Sequence, residues 1–145
     1  MKKILVFLAI LSMTFTALAQ NKSQIAEILS KTEGNRVALN YSCTLKGSAP
    51  IQLEGTLVIQ GTCFLAKGNG MEVYCDGNDR WTVDPEAREV YIEKAESVEE
   101  LLKHTDEISD LKLSSVKYSS PGDAGIFSFD TKRLDSSWVV TDLRN

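Results

Sequence analysis

The sequence predicts one mainly β domain of α+β type. It would be a continuous antiparallel sheet with two short amphipathic helices against one face. Three observations predict it. From Arg36 onward apolar residues alternate with polar ones, the period of a half-buried strand. Turn residues interrupt that alternation every 8–12 residues or so, the spacing of a meander. The period lengthens to a helical one only at Asn21–Glu33 and Ser97–Asp110.

The chain opens on Lys2-Lys3, an apolar run from Ile4 to Phe15 and the small-x-small triplet Ala17-Leu18-Ala19. That combination reads as a secretory signal peptide spanning residues 1–19. The apolar run falls short of the ~20 residues a membrane span needs. The expected mature domain is 20–145, exported to a periplasm in a two-membrane host. Loss of two lysines leaves 14 basic against 20 acidic residues. An acidic chain lacks the basic footprint of a nucleic-acid binder.

Each element has its own signal. Ile25, Ile28 and Leu29 mark the first helix, which Asn21 or Ser23 can cap and Gly34-Asn35 stop. Val37, Leu39, Tyr41, Cys43 and Leu45 share one strand face, and Leu53, Gly55, Leu57 and Ile59 share the next. A hairpin centred near Ala49 would pair Leu45 with Leu53, Tyr41 with Leu57 and Leu39 with Ile59. Short strands follow at Thr62–Lys67, Met71–Asp76, Asp79–Asp84 and Arg88–Glu93. Ser97 with Glu100 forms a capping box for the second helix, whose stripe is Val98, Leu101, Leu102 and Ile108. Leu111–Ser119, Gly125–Asp130 and Ser137–Leu143 return to strand periodicity.

The sequence carries no nucleotide loop, H-E-x-x-H, G-x-S-x-G or EF-hand pattern. No catalytic residue, metal ligand or cofactor is assigned. The single His104 lies among polar helix positions, and Asp76-Gly77-Asn78-Asp79 reads as a tight turn rather than a calcium loop. Cys43, Cys63 and Cys75 are an odd set without zinc spacing. A three-residue turn centred on Asn69 would place Cys63 opposite Cys75, a geometry that permits a disulfide. Free strand thiols are the alternative. The apolar face itself either encloses a ligand cavity or packs as a filled core.

From Leu53 to Glu93 the chain resembles the LolA family, periplasmic carriers of outer-membrane lipoproteins. The matching residues are Glu54-Gly55-Thr56-Leu57, Gly61-Thr62-Cys63-Phe64, Asp76-Gly77-Asn78-Asp79-Arg80-Trp81-Thr82-Val83-Asp84-Pro85 and Glu89-Val90. The details are most similar to short carriers of Bacteroidetes-type bacteria. The resemblance implies an unclosed, curved antiparallel half-barrel whose concave face is covered by helices and holds acyl chains. Its implied partners are a lipoprotein acyl chain or other lipid, an inner-membrane transporter and an outer-membrane receptor. The protein is expected to act as a monomer, without nucleic acid. Cavity residues would be Leu39, Tyr41, Leu45, Leu53, Leu57 and Ile59 on the first hairpin, then Val73, Trp81, Val83 and Ile92, with Leu101 and Leu102 on the lid. Trp81 could equally be a core anchor. The chain departs from the family at Gly61-Thr62, where better-known members carry an Arg-Pro pair that helps latch the lid. A non-transporting envelope sensor or adaptor on the same scaffold is the competing expectation.

Overall fold

The structure, a computed structural model, describes residues 27, 28, 30–96 and 108–145. The expected signal peptide, the start of the first helix and the body of the second, with Leu101, Leu102 and His104, lie outside the described residues. Eight strands form one open sheet: β1 (Arg36–Leu45), β2 (Ile51–Gln60), β3 (Cys63–Gly68), β4 (Met71–Cys75), β5 (Asp79–Asp84), β6 (Glu89–Lys94), β7 (Ile108–Ser119) and β8 (Val139–Asp142). Their spatial order is β7-β1-β2-β3-β4-β5-β6-β8. The meander is antiparallel, but β8 runs parallel to β6, so the sheet is mixed rather than purely antiparallel.

Turn chemistry sets the registers. The first hairpin pairs Leu45 with Ile51, Tyr41 with Gly55 and Leu39 with Leu57. That is two residues away from the expected pairing. An even shift keeps every side chain on its face, because strand side chains alternate with period two. Tyr41 explains the choice, since its ring lies over Gly55 and Gly68 and needs partners without side chains. A Cβ on either glycine would fall 2.7 or 2.9 Å from the Tyr41 hydroxyl.

The β3–β4 hairpin differs from expectation by one residue, which has larger consequences. Its loop is the two-residue Asn69-Gly70 turn, with φ of 51° and 75°. Positive φ at both central positions is the conformation that matches strand twist. Gly68 therefore pairs with Met71, and Phe64 rather than Cys63 faces Cys75. Cys63 and Cys75 project from opposite faces, and all three cysteines are free thiols.

Helical conformation at Glu27, Ile28, Ser30 and Lys31 ends where Asn35 Nδ2 donates to the Lys31 carbonyl at 3.2 Å. The Gly61 amide donates to the Thr32 carbonyl at 2.8 Å, fastening this end to the β2–β3 turn. Ile108–Asp110, expected to finish the second helix, belong to edge strand β7. Two bulges interrupt the β7–β1 ladder, near Leu39 and Cys43. Asp110 and Ser115 beside them have left-handed backbones, φ 54° and 52°. The extra residues re-phase the strand so that Leu111, Leu113 and Val116 all join one core cluster.

Gly125–Asp130 is not a strand. Ala124–Phe127 and Thr131–Arg133 are 3₁₀ turns capped by the side chains of Asp123 and Asp130. The segment connects edge strand β7 to β8 at the opposite edge. It runs across the strands rather than along one, so it cannot join a ladder. This crossing also explains why β8 arrives parallel to its neighbour.

Candidate functional site: the front face of the sheet

The two faces carry separate cores. Strand pairing lays the front face out in rows. One row is Val37–Ile59–Phe64–Cys75–Arg80–Glu93, and the next is Leu39–Leu57–Ala66–Val73–Thr82–Tyr91. A third is Tyr41–Gly55–Gly68–Met71, with Cys43–Leu53 beyond it. Each long row is apolar across β1–β4 and turns polar on β5 and β6. Ile28 of the N-terminal helical residues is buried in the same cluster, with Leu111 of β7. Burying each such aliphatic side chain contributes ~1.5–3 kcal/mol.

The back face holds Val83, Val90 and Ile92, with Tyr74, Trp81, Phe129, Leu134 and Trp138 packed against them. The 120–138 segment covers it. Arg36 anchors that cover, its Nη2 donating to the Asp123 carbonyl at 2.8 Å and its Nε to Gln60 Oε1 at 2.9 Å. Phe127 is fully buried, with the Arg36 guanidinium 5.4 Å from its ring centroid. An open groove of about 540 Å³ lies between Tyr74 and this segment, lined also by Gly125, Ser128, Phe129, Asp130, Arg133 and Leu134.

The expected cavity residues therefore divide. Leu39, Tyr41, Leu53, Leu57 and Val73 are buried together on the front face, with Leu45 and Ile59 packed beside them. Trp81, Val83 and Ile92 belong to the back-face core and line no site with the others. The division falls at the β4–β5 turn. Val73 keeps its expected face, but Cys75 pairs with Arg80 across a Gly77-Asn78 turn closed by the Asp76 amide on the Asp79 carbonyl. This odd register turns Trp81, Val83 and Ile92 to the other face.

The same reversal puts Arg80, Thr82 and Tyr91 on the front face, positions the sequence reading missed. The Gly77-Asn78 dipeptide between two strand runs, read as a two-residue turn, is the signal that would have found them. Arg80 is 3% exposed and Thr82 is wholly buried. Arg80 Nη2 lies 2.7 Å from Glu93 Oε2 and 3.4 Å from Glu96 Oε1. Its Nε, the Thr82 hydroxyl and the Tyr41 hydroxyl are buried without a hydrogen-bond partner among the described residues. Such groups are rare, because a buried donor without a partner carries the cost of leaving water.

Burial dominates the acid–base character of this face. It pushes the Cys43 thiol up to about 11 and raises Cys75 as well. Tyr41 is raised by burial and then by Cys43. A thiol held protonated is a poor nucleophile at neutral pH. No group of three or more His, Cys, Asp or Glu side chains could hold a metal among the described residues. No helix there is long and apolar enough to cross a membrane. No family model matches the chain and no curated protein matches it.

Proposed function

We propose that this chain is a periplasmic carrier of LolA-like type. It shelters the acyl chain of a lipoprotein or other lipid on its front face for transfer towards the outer membrane. The observation that carries the reading is the run of parallel apolar rows across β1–β4. Rows of small and large side chains, with glycines at Gly55 and Gly68, form a buried apolar face that would suit extended hydrocarbon once what covers it gives way. An open sheet, with β7 and β8 at its edges and curved as a half-barrel, would let that face admit and release a chain. The driving force is ample, since each buried CH₂ contributes ~0.8 kcal/mol. No covalent step is involved in this reading. An inner-membrane transporter would load the carrier and an outer-membrane receptor would unload it.

Native mass spectrometry of the protein purified gently from an exporting host tests this. A bound lipid or acylated peptide, released on denaturation, is the expected result. A bare-chain mass, with no binding of a fluorescent acyl probe, would overturn it. One observation favours the alternative of a sensor or adaptor. Val139, Val140 and Leu143 on and beside edge strand β8 are 58%, 42% and 53% exposed, an apolar edge suited to protein contact.

A further inference from the structure

The polar end of the front-face rows has a feature that hydrocarbon binding alone does not require. Arg80 and Thr82 project from the same face of β5, two residues and so roughly 6–7 Å apart. Both are shielded from solvent, and each keeps a polar atom, Arg80 Nε and Thr82 Oγ1, without a partner among the described residues. They stand at the ends of two rows that are apolar through Val73 and Cys75. The surroundings are acidic: Glu93 and Glu96 pair with Arg80, and Asp84 is buried one step further along β5. Two carboxylates already more than balance the one guanidinium. An anionic headgroup would meet net negative charge here, whereas a neutral oxygen acceptor would meet two dehydrated donors.

We infer that Arg80 Nε and Thr82 Oγ1 form a docking point for the neutral carbonyl oxygen of an acyl ester or acyl amide, whose hydrocarbon lies along the rows towards β1. This rests on the carrier reading and specifies its ligand. The occupant is a neutral acyl derivative rather than a free fatty acid or a phosphate headgroup. The carbonyl fixes where the chain starts; Leu57, Ala66 and Val73 along its path are 0–2% exposed, so the hydrocarbon enters by displacing what covers them. Hydrogen bonds from groups already out of water are favourable, because binding removes an existing defect.

The test uses protein expressed from the full chain and four pyrene-labelled probes of equal length: a fatty-acid methyl ester, the N-methylamide, the free acid and the plain alkane. Wild type is expected to bind the ester or the amide most tightly, and the tighter of the two distinguishes a glyceride-like source from an N-acyl one. Thr82→Val keeps the shape and deletes the unpartnered hydroxyl, so it should fold at least as stably by circular dichroism. Its affinity for the carbonyl probes should fall about five- to tenfold, with alkane binding unchanged. Arg80→Lys keeps a cation opposite Glu93 but has no Nε donor, and should show the same selective loss. Unaltered ester and amide binding in both variants would overturn the docking point and leave the carrier standing. So would wild type that binds alkane or free acid as tightly as ester and amide. Wild type that binds none of the four would overturn both readings.

Discussion

Tyr41 illustrates how one side chain sets a register. Its ring lies over the paired glycines Gly55 and Gly68, and no other residue fits beneath it. Gly68→Ala would push a methyl group to 2.9 Å from the hydroxyl and into the Glu54 carbonyl. We expect a loss on the order of 3 kcal/mol in denaturant unfolding. Gly47→Ala, with nothing within 4 Å, should change stability by less than about 0.5 kcal/mol. Tyr41→Phe should only partly rescue Gly68→Ala, because the backbone collision remains. The same nook makes stability depend on alkaline pH. The Cys43 thiol ionises near its ordinary value of 9.0 in the unfolded chain but only near about 11 when folded. Between those values the unfolded chain binds fewer protons than the folded one, so stability falls as pH rises. Thermal melts from pH 8 to 11 should show this decline, and Cys43→Ala should flatten it. An equal decline in that variant would assign the effect elsewhere, Tyr41 being the next candidate.

Among the elements, legibility followed the strength of the local signal. Strands β3 to β6 were readable to within a residue, and the first hairpin to within two, because alternation and turn residues agreed at each boundary. Which face each strand presents was harder, since it depends on the parity of every preceding turn. Gly68-Asn69-Gly70 offers two turns. Centring on Asn69 gives three loop residues, whereas Asn69-Gly70 alone gives two. The two-residue turn prevails because both its residues take positive φ, and Asn69 fastens it to β2: its Oδ1 accepts from the Glu54 amide at 3.0 Å, and its Nδ2 donates to the Gln52 carbonyl at 3.3 Å. That choice separated Cys63 from Cys75, and the Gly77-Asn78 turn that follows, pairing Cys75 with Arg80, moved Trp81, Val83 and Ile92 to the back core and brought Arg80 and Thr82 forward. Gly125–Asp130 was misread for another reason, while Leu111–Ser119 and Ser137–Leu143 do hold strands β7 and β8. Ile126, Phe127 and Phe129 have strand composition, but their backbone groups serve turns capped by aspartates, a contest that local propensity does not decide. Ile108 carried a helical spacing that pairing with β1 overrode.

At the scale of the whole molecule, the sheet has a firmly covered side and a lightly held closing strand. The chain leaves β7 at one edge, crosses the back face and ends as β8 at the other. Val139 donates to the Arg88 carbonyl at 2.9 Å and Leu143 to the Ile92 carbonyl at 2.7 Å, bracketing four parallel pairs. Arg144 adds a clamp, its guanidinium 3.0 Å from Asp79 Oδ2 at the start of β5 and 2.6 Å from Asp142 Oδ2. Yet β8 buries little apolar surface, since both of its valines remain more than two-fifths exposed. A strand held mainly by backbone bonds and surface charge opens at lower free energy than one held by a core. The amides of Val139–Asp142 should therefore exchange with deuterium well before those of Val73 and Val83. Arg144→Ala should speed exchange there a few-fold further while leaving the global melting temperature in place, and raised salt should mimic the variant in wild type. Exchange of β8 in step with β5 would mean that the crossing segment and the sheet unfold as one unit. In that case the apolar edge at Val139 and Val140 would be a rigid surface, not a strand that detaches.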